Sequence, residues 1–288
     1  MSHARATLIG FSAVLMWALL ALLTIGSAPV PPLQLNAICF AIGGAIGLVW
    51  LALGPGFAPL RAVPWHVYAA GSLGLFGYHF LYFTAFRLAP YAETGLIAYL
   101  WPLFIVLFSG LLPGERLRLL HVLGAMVAFG GAALILLRGG GGVQPGALAG
   151  MALAFICALT WALYSILSRR FGAVPTEAVT VYCLATAVLS GIGHFALETT
   201  VAPVGAVGWV SVLLLGVGPV GLAFFTWDVG MKRGDIQMLG VASYAAPLLS
   251  TVALIASGHA EASPVLLVAA LMIAGGAALA ARASLSRS

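Results

Sequence analysis

The sequence predicts an all-α integral membrane protein of ten transmembrane helices, built as two inverted five-helix repeats. Composition, the spacing of charges and an internal repeat together predict it. Of the 288 residues, 62% are hydrophobic and only 7% charged, a balance that a water-facing surface does not carry. The 12 Lys and Arg and the 7 Asp and Glu cut the chain into long uncharged runs. A helix needs roughly 20 apolar residues to cross about 30 Å of hydrocarbon, and most of these runs fit one span each.

The run from Arg5 to Arg61 is too long for one helix and is cut by SAPVPP at 27 to 32, whose prolines cannot continue a helix. It yields spans at 6 to 27 and 33 to 53. The remaining runs yield spans at 66 to 87, 93 to 112, 118 to 138, 147 to 169, 177 to 198, 208 to 231, 236 to 257 and 263 to 282. The first helix has some features of a secretory signal, with Arg5, an apolar core and GSA at 26 to 28. It reads as a span because its apolar run outlasts a usual signal core and because its Trp17 belongs to the repeat.

Shifted by 144 to 145 residues, the chain matches itself in order. LMWALLALLT at 15 to 24 falls on LTWALYSILS at 159 to 168, Tyr99 and Pro102 fall on Tyr244 and Pro247, and GGAAL at 130 to 134 returns at 275 to 279. The reading is a five-helix unit over 1–138, a Gly-rich linker GGGGVQPG over 139–146 and a second unit over 147–288. An odd number of spans makes the second unit enter from the opposite side, and such inverted repeats supply two conformations of similar energy. A carrier is therefore expected. With the N-terminus on one side, that side receives ten of the Lys and Arg residues and the other receives only Arg87 and Arg138. Both termini are then cytoplasmic. The net charge of +5 is a topology signal and no nucleic-acid footprint, because no basic cluster exceeds two adjacent residues.

A Trp in the first helix of each half, YLWPL and SYAAPL in the fourth and ninth, and helix endings at Glu115 and Glu261 carry a resemblance. With ten helices and cytoplasmic termini, the chain resembles the EamA branch of the drug/metabolite transporter superfamily over essentially its whole length. The aromatic content of helices three and four is most similar to the YddG-type aromatic amino acid exporters of bacterial inner membranes. The resemblance implies an inner-membrane carrier exporting aromatic amino acids and related flat compounds by alternating access, with no cofactor. The second half departs from the pattern, with Ala246 where Trp101 stands and Ala260 or Glu261 facing Glu115 only after a one-residue shift.

The residues themselves name candidates. Tyr78, His79 and Tyr82 share one broad face of helix three, and polar groups in hydrocarbon cost several kcal/mol when unpaired, so that face must meet protein or a wet cavity. Their repeat partners are Ala223, Phe224 and Trp227, so the fold does not itself demand the polar set. Trp17 and Trp161 lie near mid-membrane, where an indole offers a flat apolar wall and one N–H donor, and Trp101 reaches the depth of His79. Trp50, Trp65 and Trp209 sit at helix ends as belt residues. Pro102 and Pro247 break helices four and nine beside Tyr99 and Tyr244, freeing the carbonyls of Ala98 and Ser243 and offering hinges for gating. The substrate-binding set is thus Trp17, Tyr78, His79, Tyr82, Tyr99, Trp101, Trp161 and Tyr244. No mid-depth Lys or Arg is available for a phosphate group, whereas an aromatic amino acid fits, its carboxylate near His79 or a tyrosine hydroxyl.

Asp228 and Lys232 are spaced to pair, as an interfacial salt bridge. Arg87 with Glu93, and Glu115 with Arg118, read as helix-end electrostatics. Cys39, Cys157 and Cys183 stand at no metal-ligand spacing and read as small core residues. Gly43 with Gly47, Gly110 with Gly114 and Gly146 with Gly150 suit close helix packing, and a monomer or weak homodimer in membrane lipid is expected. An intramembrane enzyme lacks HExxH, GxSxG or paired mid-membrane carboxylates. A same-fold exporter of other metabolites or drugs, proton-coupled or not, is the alternative.

Overall fold

The computed structural model describes residues 1–89, 91–137, 147–259 and 261–285. Arg138, the linker at 139–146, Ala260 and Arg287 lie outside the described residues, as does the side chain of Glu93. All the described secondary structure is helical, with no strand among the described residues. Seven stretches are long and apolar enough to cross a membrane, and two shorter apolar helices cover Thr94–Ser109 and Leu119–Ile135.

The helices follow the charge-free runs. The first run is α1 (His3–Trp17) and α2 (Leu20–Gly26), and α3 (Pro32–Leu53) opens on a proline at its first turn, where the missing N–H costs nothing. After the short α4 (Ala58–Arg61) comes α5 (Trp65–Leu88), 24 residues long. It is outside the seven most apolar stretches because Tyr78, His79, Tyr82 and Thr84 dilute it. The next run is α6 (Tyr91–Ala98) and α7 (Trp101–Ser109), then α8 (Leu119–Leu136). The second half gives α9 (Leu148–Arg170), α10 (Ala178–Leu197), α11 (Gly205–Val217), α12 (Ala223–Arg233), α13 (Ile236–Ala242), α14 (Ala245–Ala256) and α15 (Pro264–Leu285).

Both proline breaks form where the sequence places them, between α6 and α7 ahead of Pro102 and between α13 and α14 ahead of Pro247. The Ser243 carbonyl, expected to be free, accepts the Ala246 amide at 3.0 Å: the chain tightens by one residue and recaptures it. Two further interruptions escaped the sequence reading, and one parts α1 from α2 at residues 18 and 19. Between α11 and α12 the chain makes a π-helical turn at Gly218–Leu222, with Pro219 in its first turn.

α8 lies along α15, α3 along α10, α5 along α9 and α1 along α12, while α7 meets α13. Glycine permits two of these approaches. A Cβ on Gly10 of α1 would stand 2.8 Å from the Gly230 Cα of α12, and one on Gly43 of α3 would stand 2.9 Å from the Gly221 Cα of the π turn. Gly43 and Gly47 are thus consumed by packing within the chain, whereas Gly114 lies in a turn with φ of 80°. The three cysteines are buried and free, and Trp50, Trp65 and Trp209 are exposed at helix ends, as expected.

Candidate functional site

Four tryptophans from four helices meet at the centre. Trp17 closes α1, Trp101 opens α7, Trp161 sits within α9 and Trp227 within α12. Every pair among them is in contact, with ring centroids between 5.1 and 6.3 Å apart. Most of the pairs are edge-to-face, the geometry that ring quadrupoles favour, each contributing about 0.5–1.5 kcal/mol beyond area burial. Phe224 joins from α12, 5.7 Å from Trp161 and stacked on Phe40 of α3 at 5.2 Å.

The polar face of α5 borders this cluster. Tyr78 is 5.0 Å from Trp161 and 5.9 Å from Tyr82, and His79 lies edge-on to Phe40 at 5.0 Å. The His79 Nδ1 is 2.7 Å from the Leu75 carbonyl oxygen. A carbonyl only accepts, so Nδ1 carries the proton, and a neutral ring keeps an acceptor lone pair on Nε2.

Hydrogen bonding separates wall from frame. The Trp17 indole donates to the Pro219 carbonyl of the π turn at 3.0 Å, and Trp227 donates to Ser165 Oγ at 3.1 Å. By contrast, among the described residues no hydrogen bond engages the indoles of Trp101 and Trp161, the hydroxyls of Tyr78, Tyr82 and Tyr99, or Nε2 of His79. The buried hydroxyls without a partner among the described residues include Tyr164 Oη. Groups with hydrogen-bonding capacity left over, among rings, suit a polar aromatic guest.

Tyr244 lies apart from this ring cluster. It is fully buried in a separate cluster with Phe129 and residues of α7, α8 and α15, and its hydroxyl accepts the Leu103 amide at 3.1 Å. That amide lies one residue past Pro102, so Tyr244 serves as a cap for the break in α7. Tyr99 is half-buried and packs against the same cluster. Trp227 and Phe224 are the residues that sequence reasoning missed. The signal was present, since the repeat sets Trp227 opposite Tyr82 and Phe224 opposite His79, but the match was used only to show what the fold could do without.

Each end of the molecule is held by one charged hub. At one end Glu198, just past α10, accepts the Leu33 and Gln34 amides at 3.1 Å, His194 Nδ1 at 3.1 Å and Arg87 Nη2 at 2.7 Å. Burial opposes its ionisation, but the Leu33 amide, His194, Arg87 and the Gln34 amide together hold its carboxyl below the ordinary value. The expected partner of Arg87 was Glu93; the partner found is Glu198, 111 residues away. At the other end Arg169 pairs with Glu115 and donates to the Met231, Lys232 and Gly234 carbonyls at the end of α12. The sequence reading had set Glu115 with Arg118, whose guanidinium donates to the Ala283 carbonyl at 3.1 Å. Asp228 and Lys232 do pair, at 2.7 Å, but their side chains are only 2% and 3% exposed. The pair is buried within the protein, because α9 and the Val174 carbonyl cover it.

Comparison with known proteins places the chain. The EamA-like transporter family matches residues 4–137 and 148–282. The chain is 54% identical over 283 residues to a protein of Ancylobacter novellus named aromatic amino acid exporter YddG, covering 97% of this chain and 98% of that one. A protein of Escherichia coli strain K12 with the same name is 27% identical over 97% of both chains. A crystal structure at 53% identity superposes with a TM-score of 0.93 over 97% of this chain and 98% of its own. With a helical fold that crosses a membrane several times and a family match over both halves, this chain belongs to the EamA-like transporter family.

Proposed function

We propose that the chain is a carrier of the bacterial inner membrane that exports aromatic amino acids and related flat aromatic compounds by alternating access. One observation carries the reading: four mutually touching tryptophans bordered by tyrosine hydroxyls, indole N–H groups and a histidine Nε2 that have no hydrogen-bond partner among the described residues. The substrate class also follows the names of the relatives. A substrate ring replaces one ring contact of the cluster with another of similar strength, roughly 0.5–1.5 kcal/mol each. His79 Nε2 accepts from the substrate ammonium, and the Trp101 and Trp161 indoles and tyrosine hydroxyls donate to its carboxylate. This exchanges the role first expected of His79, because its Nδ1 proton is spent on Leu75.

The topology belongs to the same proposal. Ten spans, in inverted five-helix units over 1–138 and 147–288 with cytoplasmic termini, are supported by the helix contacts. Exchanging the halves maps α3 with α10 and α8 with α15 onto themselves, and α1 with α12 onto α9 with α5. In that frame Glu198 is outside and Arg169 inside, and the breaks before Pro102 and Pro247 are the hinges. A monomer is favoured over a weak homodimer because Gly43 and Gly47 are used internally.

The test is flux of Trp, Phe, Ala and Lys into proteoliposomes without an ion gradient, for wild type, His79→Ala and Trp101→Ala. Flux of Trp and Phe alone, lost in both variants, is the expected result. Equal movement of Ala and Lys, or aromatic flux indifferent to both substitutions, would contradict the proposal.

A further inference from the structure

Below the tryptophans, toward the Arg169 end, lies a polar site that the ring cluster does not use. Asp228 follows Trp227 directly. Its Oδ2 accepts from Lys232 Nζ at 2.7 Å and its Oδ1 from Ser168 Oγ at 2.7 Å, while Lys232 Nζ also donates to the Val174 carbonyl at 2.9 Å. The pair lines a narrow cleft with Tyr164, Phe171 and Tyr182, in this conformation wide enough for about one water.

Two features of the cleft point to a guest. Tyr164 lines the cleft and is 5% exposed, and its buried hydroxyl has no hydrogen-bond partner among the described residues. A buried hydroxyl of this kind calls for a ligand or water. The Tyr164 ring also stacks on Trp161 at 5.2 Å, and Trp161 stacks in turn on Trp227 at 6.3 Å. The aromatic wall therefore continues without a gap from the tryptophans to the ion pair.

We propose that the Asp228–Lys232 pair is a loading site for the zwitterionic head group of an amino acid, reached before the ring settles among the tryptophans. The inference rests on the export reading and deepens it. An α-ammonium and an α-carboxylate carry opposite charges on adjacent groups. Between separated Asp228 and Lys232, the ammonium meets the carboxylate and the carboxylate meets Lys232 and the Tyr164 hydroxyl. Each buried charge keeps a partner throughout, which is the condition for parting a buried pair at low cost. A ligand with one charge would leave either Asp228 or Lys232 unpaired and is rejected for that reason.

The experiment measures uptake of labelled Trp by inside-out and right-side-out membrane vesicles, in competition with unlabelled Trp, tryptamine and indole-3-propionate. Tryptamine lacks the carboxylate and indole-3-propionate lacks the ammonium. Wild type is expected to prefer Trp over both. Lys232→Met should move the preference toward tryptamine and Asp228→Asn toward indole-3-propionate, each by roughly tenfold in half-inhibitory concentration, and more from the cytoplasmic face than from the outside. A merely structural pair would weaken all three competitors alike, so an unchanged ranking in both variants overturns the proposal. Should either variant fail to fold, the double substitution Asp228→Asn/Lys232→Met leaves no unpaired charge. It should carry Trp without preferring the zwitterion, and a retained wild-type preference overturns the proposal. A wild type that carries no Trp at all overturns the export reading and this one with it, whereas Trp flux with an unmoved ranking removes this one alone.

Discussion

The middle of the molecule and its two ends are held together by different forces. In the middle, Trp17, Trp101, Trp161 and Trp227 touch through contacts that tolerate a range of angles, from 27° to 86° between ring planes. At the ends, Glu198 holds the N-terminus of α3 and Arg169 holds the C-terminus of α12, each matching its charge to the helix dipole. These contacts are directional and charge-assisted, so they are either made or lost. The middle can exchange one ring for another without a large change in energy, and the ends can act as latches that distinguish a closed face from an open one. In the proposed carrier, recognition and gating would thus draw on chemically separate parts of the fold.

The comparison can be broken most severely at the ends. Arg169→Met removes the charged partner seen on Glu115 Oε1 and takes a donor from three helix-terminal carbonyls. The expected loss is about 3 kcal/mol, the lower part of the range for breaking a buried pair, because the guanidinium is 20% exposed. It is read as a fall in the thermal unfolding midpoint of the purified protein. A midpoint within a degree of wild type would remove the latch.

Acid should weaken the other end to a smaller extent. The folded protein holds the Glu198 carboxyl below its ordinary value, so the unfolded chain binds this proton more readily. The stability it contributes is complete above the unfolded value of about 4.3 and is lost as pH falls through the depressed folded value. Glu198→Gln should therefore flatten the acid limb of a midpoint-against-pH curve and lower its plateau. An acid limb identical to that of wild type would contradict the assignment.

The smallest effect belongs to the middle. Trp17→Phe keeps a ring in the cluster but loses the hydrogen bond to the Pro219 carbonyl and part of the indole's packing, for which about 1–2 kcal/mol of stability is expected. A loss as large as that of Arg169→Met, seen in the same unfolding measurement, would mean that the cluster is a rigid frame and no exchangeable wall.

The helices were legible because uncharged runs of bilayer length have few alternatives, and the proline breaks because a missing N–H cannot be hidden. That Trp17, Tyr78, His79, Tyr82, Trp101 and Trp161 lie together was legible because polar or indole groups at mid-depth are costly unless they face protein or a cavity. The hubs were not. Spacing rules see neighbours on one helix, so they found Asp228 with Lys232, four residues apart, but not Arg169 with Glu115 or Arg87 with Glu198, 54 and 111 residues apart. Tyr244 is set apart from the tryptophans in a way that symmetry does not reveal: the repeat preserves the break beside it, but with Ala246 in the place of Trp101 the hydroxyl of Tyr244 caps the break before α7. The π turn at Gly218–Leu222 was hidden because Pro219 stands in a run that otherwise reads as one continuous span.

The most direct measurement of the central claim is equilibrium binding of labelled Trp to purified protein carrying Trp17→Leu, Trp101→Leu, Trp161→Leu or Trp227→Leu one at a time, with Tyr244→Phe alongside and folding checked for each. If the ring cluster is the binding wall, each tryptophan variant that folds weakens binding several-fold, consistent with about 1 kcal/mol per lost ring contact, and Tyr244→Phe binds as wild type does. Unchanged affinity in all four tryptophan variants, with loss in Tyr244→Phe, would contradict it.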